Sequence, residues 1–247
     1  MFTDVHSHVV PSDDDGARSL AEGLALCRTA ALHGTSVLYA TPHVWPGEGL
    51  TRERERRIRD AFAQMAPRTA SFGLELRLGF ELSPAPALLE DDPARYRLEA
   101  LEAVLMEVPF TGSIRPALRL AEHIAAAGLV PVVAHPERSE QILDRPELVE
   151  ELRDRGGVLQ ANATSLTGHH GRACTETGWL LLERGLIDLV ASDGHRTSRP
   201  AVLDAAYQAV CARVGEPAAR PLFDGSAFPR RQSRSVVGDG VDLPQRR

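Results

Sequence analysis

The stretch VPVVAHPER, residues 130–138, joins a run without a polar side chain to a histidine and two charged residues. A strand of this composition leaves no face for water, because polar and apolar residues do not alternate along it. Such strands are typical of parallel sheets whose two faces are both covered. The remainder of the chain follows the same design.

Short apolar segments alternate with longer amphipathic ones. We predict strands at 2–9, 35–41, 74–82, 102–108, 130–134, 157–162 and 187–192, and helices near 19–33, 51–66, 115–127, 146–155, 173–184 and 199–214. Ser19 and Glu22 have the spacing of a capping box, and glycines 34, 128, 156 and 185 stand where helix C-terminal caps belong. This alternation predicts an α/β fold, and the apolar strands favour a barrel close to the (β/α)₈ type over an open sheet.

The composition is that of an ordinary globular protein, with 43% hydrophobic and 25% charged residues among 247. The net charge of −6 offers no basic face for nucleic acid or an anionic membrane. With neither a secretion signal nor an apolar run of about 18 residues, we expect a cytoplasmic protein without membrane insertion. We expect one domain at residues 1–227 and, because residues 228–247 lack periodicity, a flexible C-terminal tail.

Cysteine and lysine usage excludes several chemistries. Cys27, Cys174 and Cys211 are widely separated and odd in number, which argues against disulfides and a thiolate metal site. The chain contains no lysine, so Schiff-base catalysis is excluded.

Histidines and carboxylates recur at the ends of the predicted strands. In a β/α barrel these ends converge on one face, where active sites are built. Each histidine alone is more often structural than functional, but Glu107 lies within the apolar stretch VLMEVPF and needs a partner if buried. The set that converges comprises His6, His8, His43, Glu81, Glu107, His135, Asp193 and His195.

This mixture of imidazoles and carboxylates, without thiolates, suits Zn²⁺, Mn²⁺ or iron. Together with Asp15 the set exceeds the needs of one tetrahedral ion, which favours two or three ions. Such clusters generate a hydroxide nucleophile and hold phosphoryl oxygens. The other histidines are expected to be structural or exposed, although the loop bearing His169 and His170 could approach a substrate.

In this order and spacing, the motifs resemble the PHP (polymerase and histidinol phosphatase) superfamily. The motifs are DVHSH, DDDG, TPH, GFE, MEVPF, AHPER and ASDGH, and the resemblance extends from Phe2 to about Val214. More narrowly, the chain is similar to bacterial protein-tyrosine phosphatases of capsule and exopolysaccharide operons. The resemblance implies a distorted (β/α)₇ TIM-like barrel that binds two or three divalent ions, Mn²⁺ first, with Fe or Zn as alternatives.

The resemblance also implies a role for each site residue. One ion would be bound by His6, His8, Glu81 and Asp193. A second would share Glu81 and add Glu107 and His135, and a third would be bound by Asp15, His43 and His195. Within DDDG we choose Asp15 because it precedes the glycine, which leaves Asp13 and Asp14 in supporting or exposed positions. Arg138 and Arg199 resemble phosphate-binding arginines, and either Asp193 or His195 would protonate the leaving group.

The implied function is hydrolysis of phosphotyrosine by a metal-generated hydroxide, with a tyrosine kinase of polysaccharide export as the partner. Alternatives are a small-molecule phosphatase of the histidinol-phosphate type and a metal-binding regulator without turnover. An amidohydrolase is less favoured, because that family usually bridges its metals with a carbamylated lysine. The segments VWPGEGLTRERERR and TSLTGHHGRA depart from the family pattern and leave the substrate open.

Overall fold

The computed structural model describes residues 1–47 and 49–228, so the predicted tail after Phe228 lies outside the described residues. The strands are β1 (Phe2–Asp4), β2 (Thr35–Ala40), β3 (His43–Val44), β4 (Glu75–Leu78), β5 (Glu81–Leu82), β6 (Ala103–Glu107), β7 (Val130–Ala134), β8 (Val158–Asn162) and β9 (Leu189–Ala191). The α-helices are α1 (Leu20–Leu32), α2 (Arg52–Ala70), α3 (Arg115–Ala126), α4 (Glu140–Asp144), α5 (Val149–Arg153), α6 (Ala163–Leu166), α7 (Arg172–Glu183), α8 (Asp204–Val214) and α9 (Glu216–Ala219).

A strand lies within every predicted strand segment, but several bounds differ, and β1 ends at Asp4 rather than at residue 9. The segment predicted as a single strand at 74–82 is divided into β4 and β5, and the chain forms a further short strand, β3, after β2. The last long helix begins at Asp204 rather than near 199, since the proline at 200 disfavours a helical conformation at the residue before it. The short helices α4, α6 and α9 were not predicted.

The helix-end signals in the sequence are confirmed. The Ser19 hydroxyl accepts a hydrogen bond from the Glu22 amide at 3.2 Å, and the Glu22 carboxylate accepts one from the Arg18 amide at 2.9 Å. Positive φ angles of 91°, 77°, 81° and 68° occur at glycines 34, 128, 156 and 185. These glycines follow α1, α3, α5 and α7, where a left-handed residue ends the helix.

All strands are parallel and close into a ring of seven positions. One sheet has the order β1-β2-β4 and the other β3-β5-β6-β7-β8-β9. The sheets are continuous, because the chain runs from β2 into β3 and from β4 into β5, and the Gly79 amide bonds the Ala40 carbonyl at 2.9 Å. The remaining gap closes where Ser7 pairs with Gly194 in a parallel bridge. The distorted (β/α)₇ barrel is therefore confirmed.

Two apolar layers stabilise this ring. The larger lies between the strands and the helices, and the smaller fills the barrel interior with residues such as Val5, Tyr39, Leu105 and Val132. Phe228, which the sequence assigned to the tail, belongs to the interior cluster and is only 5% exposed. The packed chain thus continues through Phe228. No helix in the described parts of the chain has the length and apolar character to cross a membrane.

Candidate active site

The proposed ligands meet at the carboxyl ends of the strands, and four of them form a buried cluster. Nε2 of His6 and Nε2 of His8 are 3.2 Å apart. Glu81 Oε2 lies 3.1 and 3.2 Å from these two nitrogens, and Asp193 Oδ1 lies 3.4 and 3.5 Å from them. Donors bound tetrahedrally to one ion at about 2.0–2.1 Å would be about 3.3–3.4 Å apart. His6, His8 and Asp193 offer ligand atoms that all lie within 4.8 Å of one another, which fits a divalent ion, and Glu81 lies beside the two histidines.

A chain of amide side chains orients this cluster. Gln160 Oε1 accepts a hydrogen bond from His6 Nδ1 at 2.8 Å, which leaves the His6 Nε2 lone pair free for a metal. Gln160 Nε2 bonds Asn162 Oδ1 at 2.9 Å, and Asn162 Nδ2 bonds Asp193 Oδ2 at 2.8 Å. Sequence reasoning missed both amides. Their alternate positions in the buried strand GVLQAN were the available signal, because such positions share a strand face.

A second group forms around the last aspartate of DDDG. Asp15 Oδ1 lies 3.2 Å from His195 Nε2 and 3.6 Å from His43 Nε2. With His8, these residues offer ligand atoms that all lie within 4.8 Å of one another. Asp15, His43 and His195 are thus brought together as the sequence predicted, with His8 beside them.

The other two aspartates of DDDG lie outside the ligand groups, although Asp14 Oδ2 is 3.5 Å from His8 Nδ1. Asp14 is buried beneath the site and accepts hydrogen bonds from the Gly16 amide at 3.0 Å and the His43 amide at 3.3 Å. Asp13 is exposed and pairs with Arg57 at 2.8 Å. A Cβ at Gly16 would lie 2.3 Å from the His8 carbonyl oxygen, so the glycine lets the loop approach the segment that follows β1 closely.

A third group contains His135, whose Nε2 lies 3.1 Å from Glu81 Oε1, together with His6. Glu107 was expected to join this third group, but its carboxylate accepts a hydrogen bond from the Ser83 hydroxyl instead. Its side chain lines a small cavity next to the cluster. Burial, and then the charge of Glu81, raises the pKa of Glu107 to about 8. A cation beside Glu107 would favour its ionised form.

The pKa shifts of three buried groups reflect charge pairing within the cluster. Burial opposes ionisation of Glu81 and Asp193, yet the neighbouring imidazolium charge of His6 holds both pKa values well below their usual range. His8 is also buried, but its hydrogen bonds to Asp14, Asp193 and Glu81 raise its pKa well above the ordinary value. Burial instead lowers the pKa values of His43, to about 4, and of His135 and His195, which favours the neutral imidazole that binds a metal.

Two site residues adopt left-handed backbone conformations. His135 has φ 35° and Asp193 has φ 52°, and each costs about 1–3 kcal/mol for a non-glycine residue. Next to Asp193, a Cβ at Gly194 would lie 2.5 Å from backbone atoms of Ala201. The barrel thus maintains strain where two candidate ligands enter the site.

Two arginines and Phe110 line a cavity of about 70 Å³ above the cluster, and Trp45 stacks on His43 of its lining. Arg138 Nη1 bonds Asp193 Oδ2 at 3.0 Å, and Arg199 Nη2 lies 3.6 Å from Asp193 Oδ1. The Phe110 ring lies 4.5 Å from the Arg138 guanidinium carbon, and Trp45 stacks on His43 at 5.2 Å. Trp45 is 37% and Phe110 43% exposed, so apolar surface borders a cavity of roughly phosphate size.

The histidines that the sequence set aside are arranged as expected. His33 Nδ1 bonds Asp204 at 2.7 Å, and His123 Nε2 bonds the Asp91 carbonyl at 2.9 Å, both away from the site. His170 bonds the Thr164 hydroxyl at 2.9 Å, whereas His169 lines a cavity that adjoins the site.

The seven-position parallel barrel, with histidines and carboxylates clustered at its carboxyl ends, defines a PHP-type protein. The chain belongs to the capsular polysaccharide synthesis CpsB/CapC family, whose model matches residues 2–227.

Named relatives come from several bacteria. The chain is 32% identical to the tyrosine-protein phosphatase YwqE of Bacillus subtilis over 197 residues, covering 78% of this chain and 76% of that protein. It is 28% identical to the tyrosine-protein phosphatase CpsB of Streptococcus pneumoniae over 242 residues, covering 89% of this chain and 94% of that protein.

Solved structures agree with this relationship. A structure from work on YwqE and CpsB, described as unique metal-dependent tyrosine phosphatases, matches with a TM-score of 0.79 and 28% identity over 89% of this chain and 90% of that one. A Listeria monocytogenes lactonase matches with a TM-score of 0.58 at 13% identity, covering 94% of this chain and 95% of the lactonase chain. This likeness shows the fold alone.

Proposed function

We propose that this chain is a metal-dependent phosphomonoesterase that hydrolyses phosphotyrosine in proteins. The observation that carries the proposal is the small cavity in which Arg138 and Arg199 face a buried cluster with metal-ligand spacing. Arginine supplies a planar fork of donors for phosphate oxygens. The names of the relatives support phosphotyrosine as the substrate.

We assign three cation positions to the cluster. The first takes His6, His8, Glu81 and Asp193; the second takes Glu81, Glu107 and His135; and the third takes Asp15, His43 and His195. Glu107 must turn from Ser83 to join the second position. Mn²⁺ is our first choice and Fe or Zn the alternatives, since all three accept imidazole and carboxylate. Bound ions would supply a nucleophilic hydroxide at neutral pH and neutralise phosphoryl charge.

The protein's own groups bind and orient the phosphate. Arg138 and Arg199 would move from Asp193 onto the phosphoryl oxygens and stabilise their charge in the transition state. Asp193 holds Arg138 at the cavity until substrate arrives. A phosphate ester in this cavity places its ester oxygen at the mouth, where Trp45 and Phe110 are exposed.

We infer that Asp193 and His195 position groups rather than donate a proton. Asp193 Oδ2 accepts from both Arg138 and Asn162, which suits a carboxylate. His195 Nδ1 lies 2.8 Å from the Asp193 carbonyl oxygen and contacts Arg199 Nη2, and His195 Nε2 lies 3.2 Å from Asp15 Oδ1, so both ring nitrogens face polar groups of the site. A phenolate with a pKa near 10 leaves without a strong acid. An alkyl alkoxide does not, and this favours aryl phosphates over histidinol phosphate.

The test is hydrolysis of a phosphotyrosine peptide during titration with Mn²⁺, Zn²⁺ and Fe²⁺, with histidinol phosphate as the competing substrate. We expect turnover that a chelator abolishes and that Asp193→Ala lowers by at least 100-fold, as for loss of a principal charge-stabilising group. Chelator-resistant turnover would contradict the metal mechanism. Preference for histidinol phosphate would establish the small-molecule alternative, and no turnover of any aryl phosphate would favour the regulator.

We further propose that the partner is a bacterial tyrosine kinase of polysaccharide export and that the reaction takes place in the cytoplasm. The family description and the named relatives support a phosphotyrosine protein of capsular polysaccharide synthesis as the partner. The direct measurement is loss of phosphotyrosine from an autophosphorylated kinase of this class on incubation with the metal-loaded protein. An unchanged phosphotyrosine signal, under conditions where a peptide is hydrolysed, would exclude this partner.

A further inference from the structure

A second cavity adjoins the proposed phosphate site. Its volume is about 410 Å³, and it shares Asp15, His195 and Arg199 with the smaller cavity. Its other lining residues are His169, Arg196 and Ser198. The two cavities therefore have a common wall.

Two contacts hold Arg196 at this cavity. Its Nε donates to the Asp15 carbonyl at 2.8 Å, and its backbone pairs with that of Arg199 in an antiparallel bridge across a tight turn. The turn thus presents two arginine side chains along one wall.

The donors on this wall lack acceptors. Arg196 Nη1 and Arg199 Nε are buried and have no hydrogen-bond partner in the part of the chain that the structure describes. Arg138 and Arg199 both lie near Asp193, but across residues 1–47 and 49–228 no carboxylate forms an ion pair with Arg196. Arg196 thus lines the cavity without an ion-pair partner, and an anionic oxygen of a ligand in the cavity would supply one.

We propose that this cavity, the Arg196 cavity, binds an anionic side chain next to the phosphotyrosine of the substrate, and so determines sequence preference. The proposal rests on the proposed function. In an extended peptide, side chains two residues apart share a face and are about 7 Å apart. Since the two cavities share a wall, the anion belongs within two positions of the phosphotyrosine. A carboxylate and a second phosphate have the same oxygen chemistry.

The test compares matched phosphotyrosine peptides that carry Glu, Gln, Lys or a second phosphotyrosine at each of the positions within two residues. We expect kcat/KM to favour Glu over Gln by about 3- to 10-fold at one position, as for a partly exposed charge-assisted hydrogen bond. A larger gain with the second phosphotyrosine would identify phosphate as the preferred anion. Raising the salt concentration should reduce the preference.

Variants assign the preference to Arg196. In Arg196→Gln the Glu-to-Gln ratio should fall to about one, in Arg196→Lys part of it should remain, and in Arg196→Glu the Lys peptide should become the better substrate. Arg119→Gln, which removes an equal charge from an exposed position on α3, should keep the wild-type ratio. Thermal denaturation verifies that each variant is folded.

Dissociation constants of peptides with a non-hydrolysable phosphonate in place of the phosphate give a readout independent of turnover. They should show the same ratios. A wild-type ratio below about twofold at every position, or a preference that survives in Arg196→Gln, would overturn the proposal. Failure to hydrolyse any phosphotyrosine peptide would overturn the proposed function instead, and the phosphonate ratios would still decide the role of Arg196.

Discussion

Phe110 is expected to act on phosphate through Arg138 rather than by contact with the substrate ring. The Phe110 ring centroid lies 4.5 Å from the guanidinium carbon of Arg138, and that side chain is 19% exposed. A cation–π contact is worth about 0.5–1 kcal/mol when exposed and about 2 kcal/mol when desolvated. We take about 1 kcal/mol for this partly exposed pair. Phe110→Ala should therefore lower kcat/KM about fivefold, since 1.4 kcal/mol corresponds to tenfold.

The assay is a double-mutant cycle with para-nitrophenyl phosphate and an alkyl phosphomonoester. If Phe110 orients Arg138, Phe110→Ala should cost about fivefold in the wild type and almost nothing in Arg138→Ala, for both substrates. Phe110→Leu retains apolar bulk beside His135 but lacks the π face, and should resemble Phe110→Ala. The metal content of each variant must match the wild type. An equal loss in the Arg138→Ala background, or a loss confined to the aryl substrate, would refute the reasoning.

Three further predictions concern stability and reactivity. Phe228→Ala should lower the free energy of unfolding by about 3 kcal/mol, the low end for a buried Phe→Ala change, because the ring lies in the barrel interior. Leu32→Ala, at a side chain 80% exposed, should change the free energy of unfolding by less than about 0.5 kcal/mol. Equal urea midpoints for the Phe228→Ala and Leu32→Ala variants would contradict the burial of Phe228. Gly194→Ala should lower the free energy of unfolding by about 1–3 kcal/mol and reduce the amount of bound metal, because the new Cβ would meet the Ala201 backbone. Wild-type stability and metal content in this variant would contradict the prediction. Burial raises the pKa of Cys27 to about 12, so at pH 8 this thiol should resist alkylation until the protein unfolds, whereas the partly exposed Cys174 and Cys211 should react. Labelling of all three thiols in the native protein, measured by mass spectrometry, would contradict this.

Local sequence patterns were sufficient to predict most of the elements. The apolar run at 130–134, the Ser19 capping box and the cap glycines each concern neighbouring residues, and all three appear in the structure. The convergence of polar strand ends on one face was also predictable, because a parallel barrel allows no other arrangement. Membership in the family supported a barrel with seven strand positions rather than eight.

The sequence by itself determined the elements and the convergence of polar strand ends on one face, whereas the tertiary structure decided which side chains contact one another. The contact of Ser7 with Gly194 closes the ring, and Gln160 and Asn162 connect His6 to Asp193, although no local pattern relates these positions. Periodicity encodes the exposed face of one element, but contacts between distant elements depend on how the whole core packs. For that reason the orientation of Asp15, the bond of Glu107 to Ser83 and the burial of Phe228 could be read only from the folded chain.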